Sequence, residues 1–363
     1  NLVLLAVVQG VFRVAHRFDA RCQTFHPERI KRILVVTTTA IGDTLLSTPA
    51  IRQIRRRWPQ AHIAAMVSPA AEQVLRHNPH LDELIIHPGK VTVRYLWHLP
   101  GMLRRLRQQF DLAVILHAND PDIVPLMYSS GIPHRYGWAE SKLAFLLTVP
   151  VPTRQAGLHG LTEKIRNLAA LGITSDDEQM EMAITDEERS ATRQFLAAAG
   201  VRGPYLCLHP FGSRRSRWWG TAAEWSVLAR AVRERWGWPL ILVGTAPEKL
   251  ARVAADGGLI SAVNRLRLRE SAALLGGARA AITTDSGPLH LAQALAVPTL
   301  GLFGASLPEI TGPRRNDALV LRGSVTCAPC SRNHCAEQEC MRQLTPDKVL
   351  TALAALLQQT AAA

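Results

Sequence analysis

No stretch of the chain reaches the roughly 20 consecutive apolar residues that a membrane-crossing helix requires. Residues 2–8 (LVLLAVV) come closest, and Gln9, Arg13, His16 and Arg17 soon follow. No basic region precedes that run, as a secretory signal would need. Segment 1–30 is therefore read as a helix that packs on the body or lies on a membrane surface. Cysteine is scarce and unevenly placed: six residues, of which Cys22 and Cys207 stand alone and four crowd into CAPCSRNHCAEQEC at 327–340. Such a distribution excludes a secreted disulfide scaffold and points to a reducing compartment. Zinc-finger helix spacing and an aromatic–basic RNA signature are also missing, which argues against nucleic acid as a partner. The formal net charge of +13 then points to an anionic membrane surface or a phosphorylated glycolipid. A glycine-rich phosphate loop is absent from the first strand-to-helix turn as well, where ILVVTTTAIGDTLLS holds one glycine, Gly42, followed by Asp43.

What the chain does have is the length for two domains, at 363 residues with 47% hydrophobic and 20% charged content. From Ile33 onward short apolar runs alternate with helical patterns, the mark of a parallel sheet covered by helices on both faces. Strands are expected at 33–37, 63–67, 84–86 and 112–116, with the first helix beginning near Thr44 and a basic helix around 102–109. The polar, acidic stretch 172–188 reads as a linker. A second series follows, with strands at 205–208, 240–243, 280–284 and 299–303 and helices near 222–236, 247–255 and 270–277. A Thr cap, a Pro and spaced apolar residues from Val349 to Leu357 make the end an amphipathic helix. The expected fold class is α/β, two doubly wound Rossmann-like domains facing a cleft, with ligands beyond the carboxyl ends of the strands. Expected boundaries are 1–30 for the apolar and basic segment, 31–180 and 181–345 for the two domains, and 346–363 for the terminal helix.

Three stretches carry candidate chemistry. In AAITTDSGPLH (280–290) a strand ends at Asp285 and a helix starts at once, with Ser286 or Gly287 at the cap and Pro288 as first residue. Open backbone N–H groups and the helix dipole make this an anion site that His290 could reach; the plainer reading is that Ser286 only caps the helix. In LHPFGSRRSRWWG (208–220), Ser213, Arg214, Arg215 and Arg217 suit a diphosphate, since arginine grips phosphate through paired hydrogen bonds. Asp43 either complements the first helix dipole or serves as a general base facing a phosphate-binding lobe. Arg52, Arg55, Arg56 and Arg57 close the first helix and are assigned structural or membrane-surface roles. Cys327, Cys330, Cys335 and Cys340 have spacing open to a tetrahedral metal site, with His334 as an alternate ligand, or to reduced thiols or a facultative disulfide.

The motifs ILVVTTTAIGDTLLSTPAIRQIRRRWPQA, LHPFGSRRSRWWGTAAEWSVLA and TTDSGPLHLAQALAVPTLGLFGAS resemble the ADP-heptose:lipopolysaccharide heptosyltransferases, glycosyltransferase family 9, from about residue 31 to the C-terminus. The resemblance implies the GT-B fold, with acceptor on the first domain, ADP-sugar on the second, and a terminal helix that crosses back onto the first. It implies Asp43 as catalytic base and Arg217 where some members have a phosphate-contacting lysine. Ser213 would lie near the diphosphate and Glu248 at the ribose hydroxyls, with Asp285, Ser286, Gly287 and His290 in the sugar-nucleotide site. Some related protein-modifying heptosyltransferases bind iron through cysteines like those at 327–340, so structural iron or zinc is a possible occupant there. No cofactor is implied for the transfer itself. The implied reaction is an inverting transfer of heptose from ADP-heptose to an anionic inner-core lipopolysaccharide acceptor, at the cytoplasmic face of the inner membrane, with the membrane surface as partner. Alternatives are a GT-B transferase with another donor or acceptor, a non-catalytic glycolipid- or nucleotide-binding GT-B protein, and a redox-responsive protein.

Overall fold

An unbroken apolar strand such as ILVV at 33–36 must be covered on both faces, and parallel sheets between helix layers provide that cover. In the computed structural model all four of these residues are fully buried. The structure describes residues 10, 12–13, 24–89, 93–117, 121–141, 143–152, 157–247, 259–330 and 332–361. The chain divides into two compact units, residues 1–178 and 179–363. Two thirds of the expected N-terminal segment and most of the helix expected at 247–255 lie outside the described residues.

The first unit is built on six parallel strands: β1 (Arg32–Thr37), β2 (His62–Val67), β3 (Glu83–Ile86), β4 (Leu112–Ile115), β5 (His134–Trp138) and β6 (Val149–Val151), in the order β3-β2-β1-β4-β5-β6. Its helices include α1 (Ile41–Leu45), α2 (Thr48–Arg57), α3 (Pro69–Leu75), α4 (Val93–Leu106), α5 (Ile123–Ser129) and α6 (Gly160–Asn167). The single helix expected from Thr44 is thus two, starting at Ile41 and broken at Leu46–Ser47. Pro49 is the cause: it has no N–H for the carbonyl of Leu45, which instead accepts from Thr48 Oγ1 at 2.8 Å. The arginines of α2 are structural here. Arg52 and Arg56 reach Asp177 at 2.7 and 3.1 Å, Arg55 reaches Asp82 at 2.5 Å, and Arg57 lies over the Trp58 ring. The basic helix expected at 102–109 begins earlier and ends at Leu106.

The second unit repeats the plan with β7 (Leu206–His209), β8 (Leu240–Leu242), β9 (Ile260–Ser261), β10 (Ala280–Thr284), β11 (Thr299–Phe303) and β12 (Ala318–Arg322), ordered β12-β11-β10-β7-β8-β9. Its main helices are α7 (Asp186–Ala198), α8 (Ala222–Trp236), α9 (Leu268–Gly276), α10 (Gly287–Ala294) and α11 (Pro346–Ala361). Helix α8 falls where its pattern places it because Thr221 and Glu224 form a reciprocal capping box and Gly237, at φ +72°, ends it. Val349, Leu353, Leu356 and Leu357 of α11 join Trp219 and Trp225 in the core of this unit. The polar stretch 172–188 is more than a tether: Asp177 holds α2, and Met180 and Met182 are buried.

Candidate functional site

In each sheet the strand order reverses between two central strands, β1 and β4 in the first and β7 and β10 in the second. Doubly wound sheets open a ligand crevice at that point, beyond the carboxyl ends of the strands. A histidine marks both places. After β4, the His117 Nε2 atom accepts from the Thr38 backbone N–H at 3.4 Å and lies 3.0 Å from Thr38 Oγ1, in the loop after β1. At the end of β7, His209 Nδ1 lies 3.1 Å from Ser286 Oγ, just past β10. The sequence reading passed over both. Their shared signal is a histidine that closes an apolar strand run, ILH at 115–117 and CLH at 207–209.

The second unit gathers most of the expected site residues. Ser286 is the cap residue of α10, but its hydroxyl makes no cap bond. It donates instead to the Thr284 carbonyl at 3.0 Å. That oxygen can only accept and serine has one proton, so the His209 Nδ1–H donates to Ser286 Oγ. Burial pushes His209 down to about 4, so the ring is neutral at neutral pH. Gly244 makes room for it: at φ +114°, a Cβ there would stand 2.6 Å from His209 Cδ2. The plain capping reading of Ser286 is therefore overturned. Pro288 is the second helical residue rather than the first and brings no N–H, so the Ser286 and Gly287 amides, neither bonded among the described residues, remain for an anion.

Arg217 comes to this place from the loop after β7. Its Nη1 atom lies 2.8 Å from Asp285 Oδ2. Asp285 is 5% exposed, and the Arg217 side chain is 23% exposed. Arg217 Nε and Asp285 Oδ2 are both buried and have no hydrogen-bond partner among the described residues, so the contact between the two side chains is an ion pair. Gly212 lets the loop fold this tightly, since a Cβ there would meet Arg217 Cβ at 2.6 Å. Arg215, expected with Arg217 at a diphosphate, stacks on Trp218 at 4.0 Å instead. Ser213 is exposed on the same loop and His290 is buried on α10. Glu248 lies outside the described residues.

The cysteine segment braces this loop from behind. Ser216 donates to the Asn333 and Arg332 carbonyls from its N–H and Oγ, at 3.1 and 2.7 Å, and Gln338 donates to the Arg215 carbonyl at 2.6 Å. Cys327, Cys330, Cys335 and Cys340 line one cavity of about 50 Å³ together with Glu337 and Glu339. Among the described residues, however, no three His, Cys, Asp or Glu side chains are placed to hold a metal ion. Cys327 is exposed while Cys340 is buried, with its Sγ beside Gly304 and its backbone against Gly323. His334 is exposed and does not line the cavity. The expected tetrahedral metal set is not formed by these residues as they stand.

In the first unit Asp43 lies in α1, five residues long, and is exposed. The switch-point loop before it packs through Ser68, whose Oγ donates to the Thr39 carbonyl at 2.8 Å. A second buried polar group stands at the same end of the sheet: His87 Nε2 lies 3.2 Å from Asp122 Oδ2. Burial pushes the Asp122 carboxyl up, but hydrogen bonds from His87 and Tyr95 outweigh it and hold it below the usual range.

The sequence profile of Glycosyltransferase family 9 (heptosyltransferase) matches residues 101–341. Lipopolysaccharide heptosyltransferase 1 of Pseudomonas aeruginosa is 28% identical over 366 residues, covering 90% of this chain and 98% of that protein. Lipopolysaccharide heptosyltransferase 2 of Escherichia coli K12 is 26% identical over 357 residues, covering 90% and 99%. Among solved structures, a family 9 glycosyl transferase from Veillonella parvula superposes with a TM-score of 0.78 at 23% identity, over 91% of this chain and 97% of that one. The E. coli ADP-heptose LPS heptosyltransferase II gives 0.73 at 22% identity, over 91% and 99%. With its two doubly wound α/β units, the fold is GT-B. The chain belongs to glycosyltransferase family 9, the heptosyltransferases, and is a glycosyltransferase.

Proposed function

We propose that this protein transfers heptose from ADP-heptose to an anionic inner-core lipopolysaccharide acceptor, with inversion at the anomeric carbon. One observation carries the reading: at the switch point of the second unit, the open Ser286 and Gly287 amides and the Arg217 guanidinium meet at the start of α10. Such a group suits a diphosphate whose charge grows as a glycosidic bond breaks. Asp43 acts as general base. It takes the proton of the acceptor hydroxyl as that oxygen bonds to the anomeric carbon, while the bond from that carbon to the diphosphate oxygen breaks and ADP departs. Ser213 and His290 complete the diphosphate surroundings, and Glu248 meets the ribose hydroxyls. Asp285 acts through Arg217, holding the guanidinium in place.

The acceptor is a lipid, so the protein works at a membrane surface, and no helix among the described residues is long and apolar enough to cross a membrane. Helix α4 offers a docking face. Trp97 is 82% exposed there, and Arg104 and, just past the helix, Arg107 are exposed without an ion-pair partner among the described residues. A tryptophan among arginines suits the headgroup layer of an anionic bilayer.

The test is ADP release from ADP-heptose with a heptose-deficient core lipid, by the native protein and by Asp43→Asn. The reading expects turnover with the native protein and a loss of at least about a hundredfold in the variant. Turnover only with a different sugar nucleotide would replace the donor. ADP binding without turnover on any core acceptor would instead favour a non-catalytic binding protein.

A further inference from the structure

Lys164 belongs to none of the recognised motifs and lies on α6, 121 residues from Asp43. Its side chain is nearly buried, at 8% exposure, and an ammonium in that setting requires hydrogen-bond acceptors. Nζ donates to the Asp43 carbonyl at 3.0 Å and to Ser47 Oγ at 2.7 Å. Ser47 Oγ in turn donates to the same carbonyl at 2.9 Å.

The break between α1 and α2 explains why that carbonyl is open. In a continuous helix the Asp43 oxygen would accept from the N–H of Ser47. Here the Ser47 N–H turns to Thr44 at 3.0 Å, which leaves the Asp43 oxygen to the Ser47 hydroxyl and Lys164. The carboxylate of Asp43 is exposed, and none of its atoms has a hydrogen-bond partner among the described residues. Its direction therefore follows from where the backbone of the α1 turn is held.

We propose that Lys164 is a positioning residue for Asp43: its buried ammonium, with Ser47, clamps the carbonyl of Asp43 and so aims the base at the acceptor hydroxyl. The proposal rests on the reading of Asp43 as general base. A shift of about 1 Å in a catalytic group can cost on the order of a hundredfold in rate. Loosening this clamp should thus lower kcat while leaving alone the ADP site, which is built from the second unit.

The experiment is a double-mutant cycle between Lys164→Met and Asp43→Asn, with kcat, acceptor KM and ADP affinity measured on the full chain. Lys164→Met should lower kcat by about tenfold or more with ADP affinity unchanged. In the Asp43→Asn background the same change should do almost nothing, because the base it aims is gone. Lys164→Arg, which keeps a buried donor, should recover part of the loss. Should Lys164→Met not fold, Ser47→Ala removes the bridging hydroxyl at little cost in volume and should show the same dependence on Asp43. Wild-type kcat in Lys164→Met, or in Ser47→Ala where that variant stands in for it, overturns the proposal. An equal fold-loss with and without Asp43 overturns it too. Full activity in Asp43→Asn alone is a different result, which sinks the general-base reading itself.

Discussion

Arg217→Met separates the observed role of one side chain from its proposed one. The guanidinium neutralises Asp285 at 2.8 Å, and it is proposed to grip the diphosphate of the donor. Removing one partner of a buried ion pair costs about 3–5 kcal/mol, most of it from the charge left behind. Asp285 is buried, but a quarter of the Arg217 side chain meets solvent, and water entering the gap would solvate the remaining carboxylate. A loss of about 2 kcal/mol in the second unit is therefore expected. Loss of charge-assisted hydrogen bonds to a diphosphate is worth about 1.5–3 kcal/mol, a weakening of ADP binding by roughly 10- to 150-fold. Asp285→Asn, added to Arg217→Met, removes the stranded charge. Stability should then return toward wild type while ADP binding stays weak. Urea unfolding followed by tryptophan fluorescence reads the first quantity and calorimetric titration with ADP the second. Wild-type ADP affinity in the double variant would refute the reasoning, because Arg217 would then serve only to neutralise Asp285.

Three further outcomes follow from the same sites. His209 has a folded value near 4 against an ordinary value of about 6.5. Between those values the unfolded chain binds a proton that the folded chain declines, so its contribution is complete above pH 6.5 and lost as pH falls. About 3 kcal/mol should disappear by pH 4, and unfolding free energies of His209→Asn should fall less steeply over that window than those of wild type. Gly244→Ala should cost about 2–3 kcal/mol through its positive φ and its collision with His209. Gly237→Ala, also at positive φ but with nothing within 4 Å of the added Cβ, should shift the urea midpoint less. Trp97→Ala should weaken sedimentation with vesicles rich in phosphatidylglycerol without altering the unfolding midpoint. If binding to those vesicles matches binding to neutral phosphatidylcholine vesicles at low salt, α4 is not a lipid-docking face.

The strands that sequence pattern reveals are those carried by an uninterrupted apolar run, because burial on both faces favours apolar side chains. β1, β7 and β10 are of that kind. β5 is not: HRYGW hides a charge, and Arg135, almost fully buried, donates from Nε to the Leu146 carbonyl and from Nη1 to the carbonyls of Ile132 and Pro133. An arginine that finds backbone acceptors can sit inside a sheet, but nothing in its neighbours' identities announces those acceptors. β9 has two residues and β12 is half-exposed, so neither gives a pattern long enough to read. The candidate site divides along the same line. Asp285, Ser286, Gly287 and Arg217 could be placed at one sheet edge because strand ends and helix starts are local signals. Whether Ser286 caps its helix could not, since that turns on His209, 77 residues away.

The two switch-point histidines show what kind of signal remains in such cases. Each closes an apolar strand beside the neighbouring loop of a central pair, and each faces a hydroxyl-bearing residue there, Thr38 or Ser286. A histidine offers one donor and one acceptor in its neutral form, so at a strand end it can order the adjacent loop. It can do so through a backbone N–H, as at Thr38, or through a hydroxyl alone, as at Ser286, which leaves the amides there to a ligand. In the second unit this is the consequence: with the Ser286 hydroxyl engaged by His209 and Thr284, the start of α10 keeps its amides uncapped. The helix gives up a capping bond worth about 1 kcal/mol, and the amides left over are the ones proposed to receive the departing diphosphate. The missing cap is thus a property of the proposed ADP site, and it depends on a residue in a different strand.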